Sequence, residues 1–340
     1  MTGIDDVARA SGVSTATVSR ALRGLPNVSE TTRERVRLAA QQLGYVASSS
    51  ASGLATGRTL AMGVVIPSLD LWYYSTVIEG VDSALRAASY DLILFNLGGR
   101  RGDRERVFHR SILRKRTDAL IALCIDFTED ERKQLASTGH PTIVIGGRVR
   151  GLPHVGIDER GAARLATEHL IGLGHRRIAH LAGAVVEGLT REVPVQRRLG
   201  YEQAMASAGL AARTELSVEG NFDMAAARRA MTTLLALGAG TRPTAVFADS
   251  DEMAMGAILA INDAGLRVPR DISVVGIDDH DLADSFGLTT IAQEPFAQGA
   301  LAARMLLDEL GGRRVRTRSV RYPVRLIERT STAPPLPEGA

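Results

Sequence analysis

Between positions 15 and 20 the chain gathers Thr15, Ala16, Thr17, Ser19 and Arg20. Short side chains of this kind let a helix come close to a nucleic-acid duplex. Hydroxyls and arginine reach phosphates and base edges, and a methyl can meet a thymine methyl. Catalytic patterns do not occur. There is no Gly-x-Ser-x-Gly elbow, no P-loop and no His-Glu-x-x-His. Gly98-Gly99 and Gly146-Gly147 lack the spacing of a phosphate cradle and read as turns. Asp278, Asp279 and Asp281 could suggest a metal site, but they read as a loop after an apolar strand. His175 lies in a Gly-His-Arg-Arg turn and reads as structural. Cys124 is the single cysteine, so it forms neither an internal disulfide nor a cysteine-based metal site. It reads as a small buried hydrophobe in a reduced compartment. The expectation is a protein that is not an enzyme, with no cofactor and no metal.

The residues at 15–20 need helices to present them, and the local signals supply three. Thr2 precedes Asp5 in a capping-box-like start, and Ile4, Val7 and Ala8 recur at helical spacing. Ser11-Gly12 ends that helix, and Ser14 caps a second one running through Val18 and Leu22. After Gly24, Pro26 and Asn27, Ser29 caps a third, with Val36, Ala39, Ala40 and Leu43 as its apolar stripe and Gly44 at its end. Two short helices around a glycine turn, braced by a third, make a helix-turn-helix; an ordinary three-helix unit without a nucleic-acid role fits the same pattern. Charge leans toward the former. Residues 1–60 hold seven arginines against four acids, whereas the remaining chain holds 34 basic and 34 acidic residues, so the whole net charge of +3 sits on the head.

At 340 residues, with 45% hydrophobic and 23% charged residues, the chain is sized for two or three globular domains. No run approaches the ~20 apolar residues of a membrane span, and Met1 to Ala10 lacks a secretory signal. A cytoplasmic protein without membrane contact is expected. Residues 46–59 are small and polar and read as a linker. From Leu60 onward, apolar runs at 60–66, 91–95, 119–125, 142–145, 177–181, 245–248 and 272–277 alternate with helical stretches such as 74–88, 161–173, 197–208 and 251–264. That is a βαβ series, hence parallel sheets, and its length calls for two lobes.

The run Ile4 to Leu22, then Asn27-Val-Ser and Thr32 through Tyr45, closely resembles the head of LacI/GalR regulators. The resemblance continues through Ile66-Pro67, Asp158 to Gly161, His169 to Ile178, Gly200-Tyr201, Pro243 to Ala248, Asp251 to Gly256, Ile272 to Asp279 and Leu288 to Ile291. It implies an all-α helix-turn-helix head plus an α/β two-lobe, periplasmic-binding-protein-like body. The implied plan is a DNA-binding domain at 1–45, a hinge linker at 46–59, a sensing domain at 60–332 and a flexible tail at 333–340. Within the sensing domain, 60–158 with 292–319 form one lobe and 161–289 with 322–332 the other.

The same resemblance implies that Ser14, Thr15, Ala16, Thr17, Ser19, Arg20 and Asn27 face DNA, with Leu54 a minor-groove wedge in a hinge helix. Relatives carry Pro-Asn where this chain has Ala47-Ser48, and a basic residue where it has Ser52, which bears on hinge capping and phosphate contact. For the cleft it implies Arg197 as ligand arginine, Asp251 as ligand carboxylate and Phe222 as stacking aromatic. Contacts from the other lobe would come from Trp72, Tyr73 and Tyr74, with Arg148 and Gln293 beside the crossings. Simpler roles stand beside these: Asp251 as a helix cap, Arg197 paired on the surface with Glu202, and one of the three aromatics merely packing. Two departures, Gly147 before Arg148 and Ser250 before Asp251, stand where relatives carry aspartate and asparagine. The functional expectation is a homodimeric transcription regulator, a repressor on a near-palindromic double-stranded DNA operator. Its small-molecule effector is expected to be a sugar or sugar derivative. The alternatives are a purine- or nucleoside-responsive co-repressed regulator and a solute-binding protein without a DNA role.

Overall fold

A computed structural model describes residues 3–22, 26–45, 58–98, 101–108, 116–185, 188–238, 240–313 and 319–337. The chain forms two compact units, Met1–Leu60 and Ala61–Ala340.

The first unit packs α1 (Ile4–Ser11), α2 (Thr15–Leu22) and α3 (Glu30–Gln42) around Val7, Val18 and Val36, all three fully buried. Burying a valine side chain contributes about 1.5–3 kcal/mol, a large share for so small a unit. Gly3 begins α1, and its N–H donates to the Asp6 carboxylate at 2.9 Å. Asp6 thus takes the capping part expected of Asp5; Thr2 lies outside the described residues. Gly12 closes α1 at φ +65°, a conformation that costs glycine little. The Ser14 Oγ accepts the Thr17 N–H at 3.2 Å, and the Ser29 Oγ accepts the Thr32 N–H at 3.2 Å, so both expected caps form. Leu43, expected in the stripe of α3, is 37% exposed, and Tyr45 packs on the core.

The second unit is built on two six-stranded sheets. In chain order the strands are β1 (Ala61–Ile66), β2 (Asp91–Asn96), β3 (Ala119–Leu123), β4 (Thr142–Ile145), β5 (His154–Gly156), β6 (Ile178–Ala182), β7 (Ser217–Glu219), β8 (Ala245–Ala248), β9 (Ser273–Asp278), β10 (Thr289–Ala292), β11 (Ser319–Arg321) and β12 (Arg325–Ile327). Lobe one carries the order β11-β5-β4-β3-β1-β2, parallel throughout. Lobe two carries β12-β10-β9-β8-β6-β7, parallel except where β12 runs against β10. The chain passes between sheets after Gly156, after Ala292 and after Arg321. Central strands such as β1, β3 and β9 are buried along their whole length, because helices cover both faces of a parallel sheet. That is why these strands appear in the sequence as unbroken apolar runs, while the short β5, β7, β11 and β12 carry no such run.

Helices Trp72–Ala87 and Pro295–Leu310 pack at backbone contact in lobe one. A Cβ on Gly80 would stand 2.0 Å from the Phe296 carbonyl oxygen, and one on Gly299 2.1 Å from that of Val77. This contact binds the 295–310 return segment to the lobe that holds β1 to β5. The helix Glu192–Ser207 starts five residues before the expected Arg197, and Pro194 is accommodated in its first turn, where its missing N–H is unused. The tail does not become free at 333. The Ala333 N–H donates to Ser273 Oγ at 3.0 Å, and the Ala333 carbonyl pairs with His175 Nε2 at 2.9 Å. His175 is therefore a structural tie between the 173–177 turn and the C-terminal segment; residues 338–340 lie outside the described residues.

Candidate functional site

In the head, α2 turns Val18 and Ala21 inward and leaves Thr15, Ala16 and Arg20 exposed. Ser14 and Thr17 are committed to each other, their hydroxyl oxygens 2.9 Å apart at the start of α2. Ser19 is half-buried, and Asn27 is exposed at φ +68° in the turn before α3. Of the residues expected to face DNA, the outward-facing set on α2 is thus Thr15, Ala16 and Arg20. Arg33 and Arg37 each lie beside an acid one turn earlier on α3, Glu30 at 3.4 Å and Glu34 at 2.9 Å. Leu54 and residues 46–57 of the hinge lie outside the described residues.

In the body, a cavity of about 240 Å³ opens where the carboxyl ends of the two sheets face each other. Tyr73 and Tyr74 reach it from the start of helix Trp72–Ala87, and Cys124 and Gly146 from the ends of β3 and β4. Lobe two contributes Glu159, Arg197, Phe222, Ser250, Glu252 and Asp278, and Gln293 lies at the crossing after β10. Backbone strain concentrates here. Cys124, Asn221, Phe222, Asp278, Asp279 and Glu294 all hold positive φ, a cost that tertiary packing must cover.

Arg197 is the hub. It is 4% exposed, its Nε donates to Glu159 Oε2 at 2.7 Å, and its Nη1 donates to the Asp249 carbonyl. Glu202, the surface partner of the simpler alternative, plays no part in these bonds. The Asp249 carboxylate in turn accepts the Gly183 N–H at 2.8 Å and pairs with His180 Nε2 at 2.8 Å. His180 stacks in a cluster with Tyr201 and Phe247, its ring centroid 4.9 and 5.2 Å from theirs. The Phe222 ring lies against Gly183, where a Cβ would come within 2.0 Å of it. The buried His180–Asp249 pair therefore sets both the arginine and the aromatic wall.

Asp251, expected to be the ligand carboxylate, does not line the cavity. Ser250 caps the helix Asp251–Asp263, and Asp251 turns inward beneath it. Its two oxygens accept from Thr290 Oγ1 at 2.7 Å and the His280 N–H at 2.9 Å. The carboxylates at the surface of the cavity are instead Asp278, which accepts from Gln293 Nε2, together with Glu159 and Glu252. Burial pushes Asp251 and Asp278 above the usual carboxylate range; Asp278 raises Asp251 further, whereas Arg197, the Gln293 amide and the Asp251 N–H hold Asp278 down. Burial, then the nearby Asp278, pushes Glu252 up to about 7 against the pull of the Trp72 backbone amide.

Trp72 and Arg148 also lie outside the cavity, and both join the lobes. Trp72 Nε1 donates to Asp281 Oδ2 at 3.0 Å, and its ring lies 4.6 Å from that of His280. The Arg148 N–H donates to the Glu192 carboxylate. Further bonds cross on that side: the Thr190 N–H to the Cys124 carbonyl at 3.0 Å, and Arg104 Nη1 to the Gly188 carbonyl at 2.8 Å. The two lobes are closed on each other. Tyr73, Tyr74, Arg197, Phe222 and Gln293 meet as expected, while Glu159, Asp278, Glu252 and Thr190 were not expected. Glu159 and Asp278 could have been found as the acids directly following β5 and ending β9. Among the described residues, no group of three or more His, Cys, Asp or Glu is placed to hold a metal, and no helix is long and apolar enough to cross a membrane.

Residues 3–48 match the model of the lacI family of bacterial regulatory proteins, and residues 167–332 match a periplasmic binding protein-like domain. The chain is 34% identical over 334 residues to the HTH-type transcriptional repressor PurR of Vibrio cholerae serotype O1 (strain M66-2), covering 97% of each. A solved Lac repressor dimer bound to operator and the anti-inducer ONPF superposes with a TM-score of 0.84 at 27% identity, over 98% of this chain and 99% of that one. A complex of the transcriptional regulator CelR with cellobiose superposes with a TM-score of 0.72 at 29% identity, over 97% of this chain and 100% of that one.

Proposed function

The chain belongs to the lacI family of bacterial regulatory proteins, and from that premise we propose that the cavity between its two sheets controls its binding to DNA. It is a transcription regulator with a helix-turn-helix head and a two-lobe α/β body. We assign it the role of a repressor that acts as a homodimer on a near-palindromic operator, since two heads related by a two-fold axis read two half-sites. Thr15, Ala16 and Arg20 are the residues that reach bases, with Leu54 as the hinge wedge. Tyr73, Tyr74, Arg197, Phe222 and Gln293 hold the effector, joined by Asp278 and Glu252 in place of Asp251.

The effector is a sugar or sugar derivative. One observation carries this reading: Phe222 and two tyrosines flank buried polar groups, the Glu159 carboxylate held by Arg197 and the Asp278 carboxylate held by Gln293. An aromatic face with convergent acceptors suits the apolar face and the hydroxyl edge of a sugar ring. A planar purine or nucleoside is the second reading, because the same aromatic walls can stack on a base.

A thermal-shift screen of sugars and nucleosides on the full chain tests this, since a ligand that binds only the native state raises its melting temperature. The expected hit is a sugar that also changes retardation of a promoter fragment carrying a near-palindrome. A purine hit with no sugar response reverses the ranking. Failure to retard any such fragment at low salt sinks the regulatory assignment.

A further inference from the structure

The charges that line the cavity do not balance, and this limits what can enter. Asp70, Glu159, Asp223, Glu252 and Asp278 all line it, whereas Arg197 is the one cationic side chain there among the described residues. Arg197 already donates from Nε to Glu159 and from Nη1 to the Asp249 carbonyl. Glu159 is thereby neutralised. Asp223 caps the helix Met224–Leu235 through the Ala226 N–H at 2.6 Å, and Asp278 takes its bond from the neutral Gln293. Neither bond brings a positive side chain. Asp70 and Glu252 reach the cavity from opposite lobes, also without a cation. Burial raises both Glu252 and Asp278, and the nearby Asp278 raises Glu252 further, so the lining already resists negative charge.

We infer that the effector carries no anionic group: the cavity takes a neutral or cationic polar molecule and rejects its phosphorylated or carboxylated form by charge. In a partly desolvated cleft, a phosphate would add negative charge to a lining that carries five carboxyl groups against one guanidinium, which already bonds Glu159 and the Asp249 carbonyl. The regulator would then read a metabolite before a phosphoryl-transfer step and not after it. This inference rests on the ligand-controlled reading above.

The test uses the full-length protein and matched sets of probes: glucose, glucosamine, glucose 6-phosphate and 6-O-acetylglucose, the galactose equivalents, and adenosine with its 5′-monophosphate and 5′-acetate. Affinities are taken by calorimetry wherever melting temperature shifts. Neutral or amine-bearing compounds are expected to bind, with the phosphate partner weaker by about a hundredfold or more. The acetyl compound, bulky but neutral, is expected to keep most of the affinity. Asp70→Asn should narrow the neutral-to-phosphate ratio by about tenfold, as removal of one repulsive charge requires. A phosphate that binds as tightly as its parent overturns the inference, and so does an acetyl compound that loses as much affinity as the phosphate, because size would then be the cause. A set in which no compound shifts the melting temperature or DNA retardation overturns the ligand-controlled reading itself, and this inference with it.

Discussion

The head and the cleft use polar groups in opposite ways. Thr15, Ala16 and Arg20 lie exposed on one short helix, held there by three valines on its far side and those of its neighbours. The cleft draws on side chains from positions 68 to 293, and its central polar groups are already bonded in pairs, Arg197 with Glu159 and Gln293 with Asp278. A surface that must meet another molecule's phosphates keeps its donors in water. A pocket that must distinguish small molecules fixes its donors beforehand, because an unfixed buried group costs stability and orientation alike. The difference predicts that substitutions in the head change affinity with little effect on folding, whereas substitutions in the cleft change both.

Arg197→Ala is the most severe break. It leaves Glu159 buried without its partner, so thermal unfolding of the body should show a loss of about 3–5 kcal/mol. The effector response should vanish with it. Unchanged stability would mean that Arg197 and Glu159 are not the hub described. Arg20→Ala comes next. Operator affinity should fall by about 1–3 kcal/mol in a retardation titration, while the melting curve of the body stays in place. A shift in the body's unfolding would erase the contrast between the two regions.

Phe222→Asn sharpens the contrast within the cleft. Asparagine tolerates the left-handed conformation at φ +55° better than phenylalanine, which offsets part of the packing that the ring loses against the core of lobe two, so stability should fall by about 1–2 kcal/mol. Effector affinity should drop about tenfold, because the aromatic wall is gone. The smallest effect is a pH dependence confined to the body. Glu252 is raised to about 7 from an ordinary value near 4.5, so the folded state keeps a proton that the unfolded chain releases. Its contribution is fully present below about 4.5 and is lost as pH rises through about 7. Glu252 is only partly buried, and solvent screening holds the effect below about 1 kcal/mol. Glu252→Gln removes a contribution that favours the lower pH, so the melting temperature at pH 5.5 relative to that at pH 7.5 should be lower in the variant than in the parent protein; an unchanged relation would contradict the raised value.

The same contrast explains what could be read in the sequence. The head was legible because each of its signals is local: Ser14 and Thr17 are three residues apart, and Gly12 ends the helix it follows. The two-sheet body was legible through its buried strands, whose apolar runs are continuous. In the cleft, Arg197, Phe222, Tyr73, Tyr74 and Gln293 came from family resemblance, and they do meet. Asp251 was misplaced because its position one residue after the helix cap says nothing of the direction it turns, and Thr290, 39 residues on, holds it inward. Asp278 read as part of a loop because its partner Gln293 lies across β10. Trp72 and Arg148 read as ligand contacts because they stand at the cleft's edge, where joining the lobes and touching a ligand share one sequence position.

Trp72 has an optical consequence. It is the single tryptophan of the chain, and its indole bonds one lobe to Asp281 of the other while lying 4.6 Å from the His280 ring. Any separation of the lobes strips the indole of both neighbours at once and gives it to water. Emission excited at the indole band would then move to longer wavelength and lose the quenching that an adjacent imidazole provides. The protein has a native fluorophore stationed across its own jaws, and their opening can be followed in unlabelled protein, in real time, with no background from a second tryptophan.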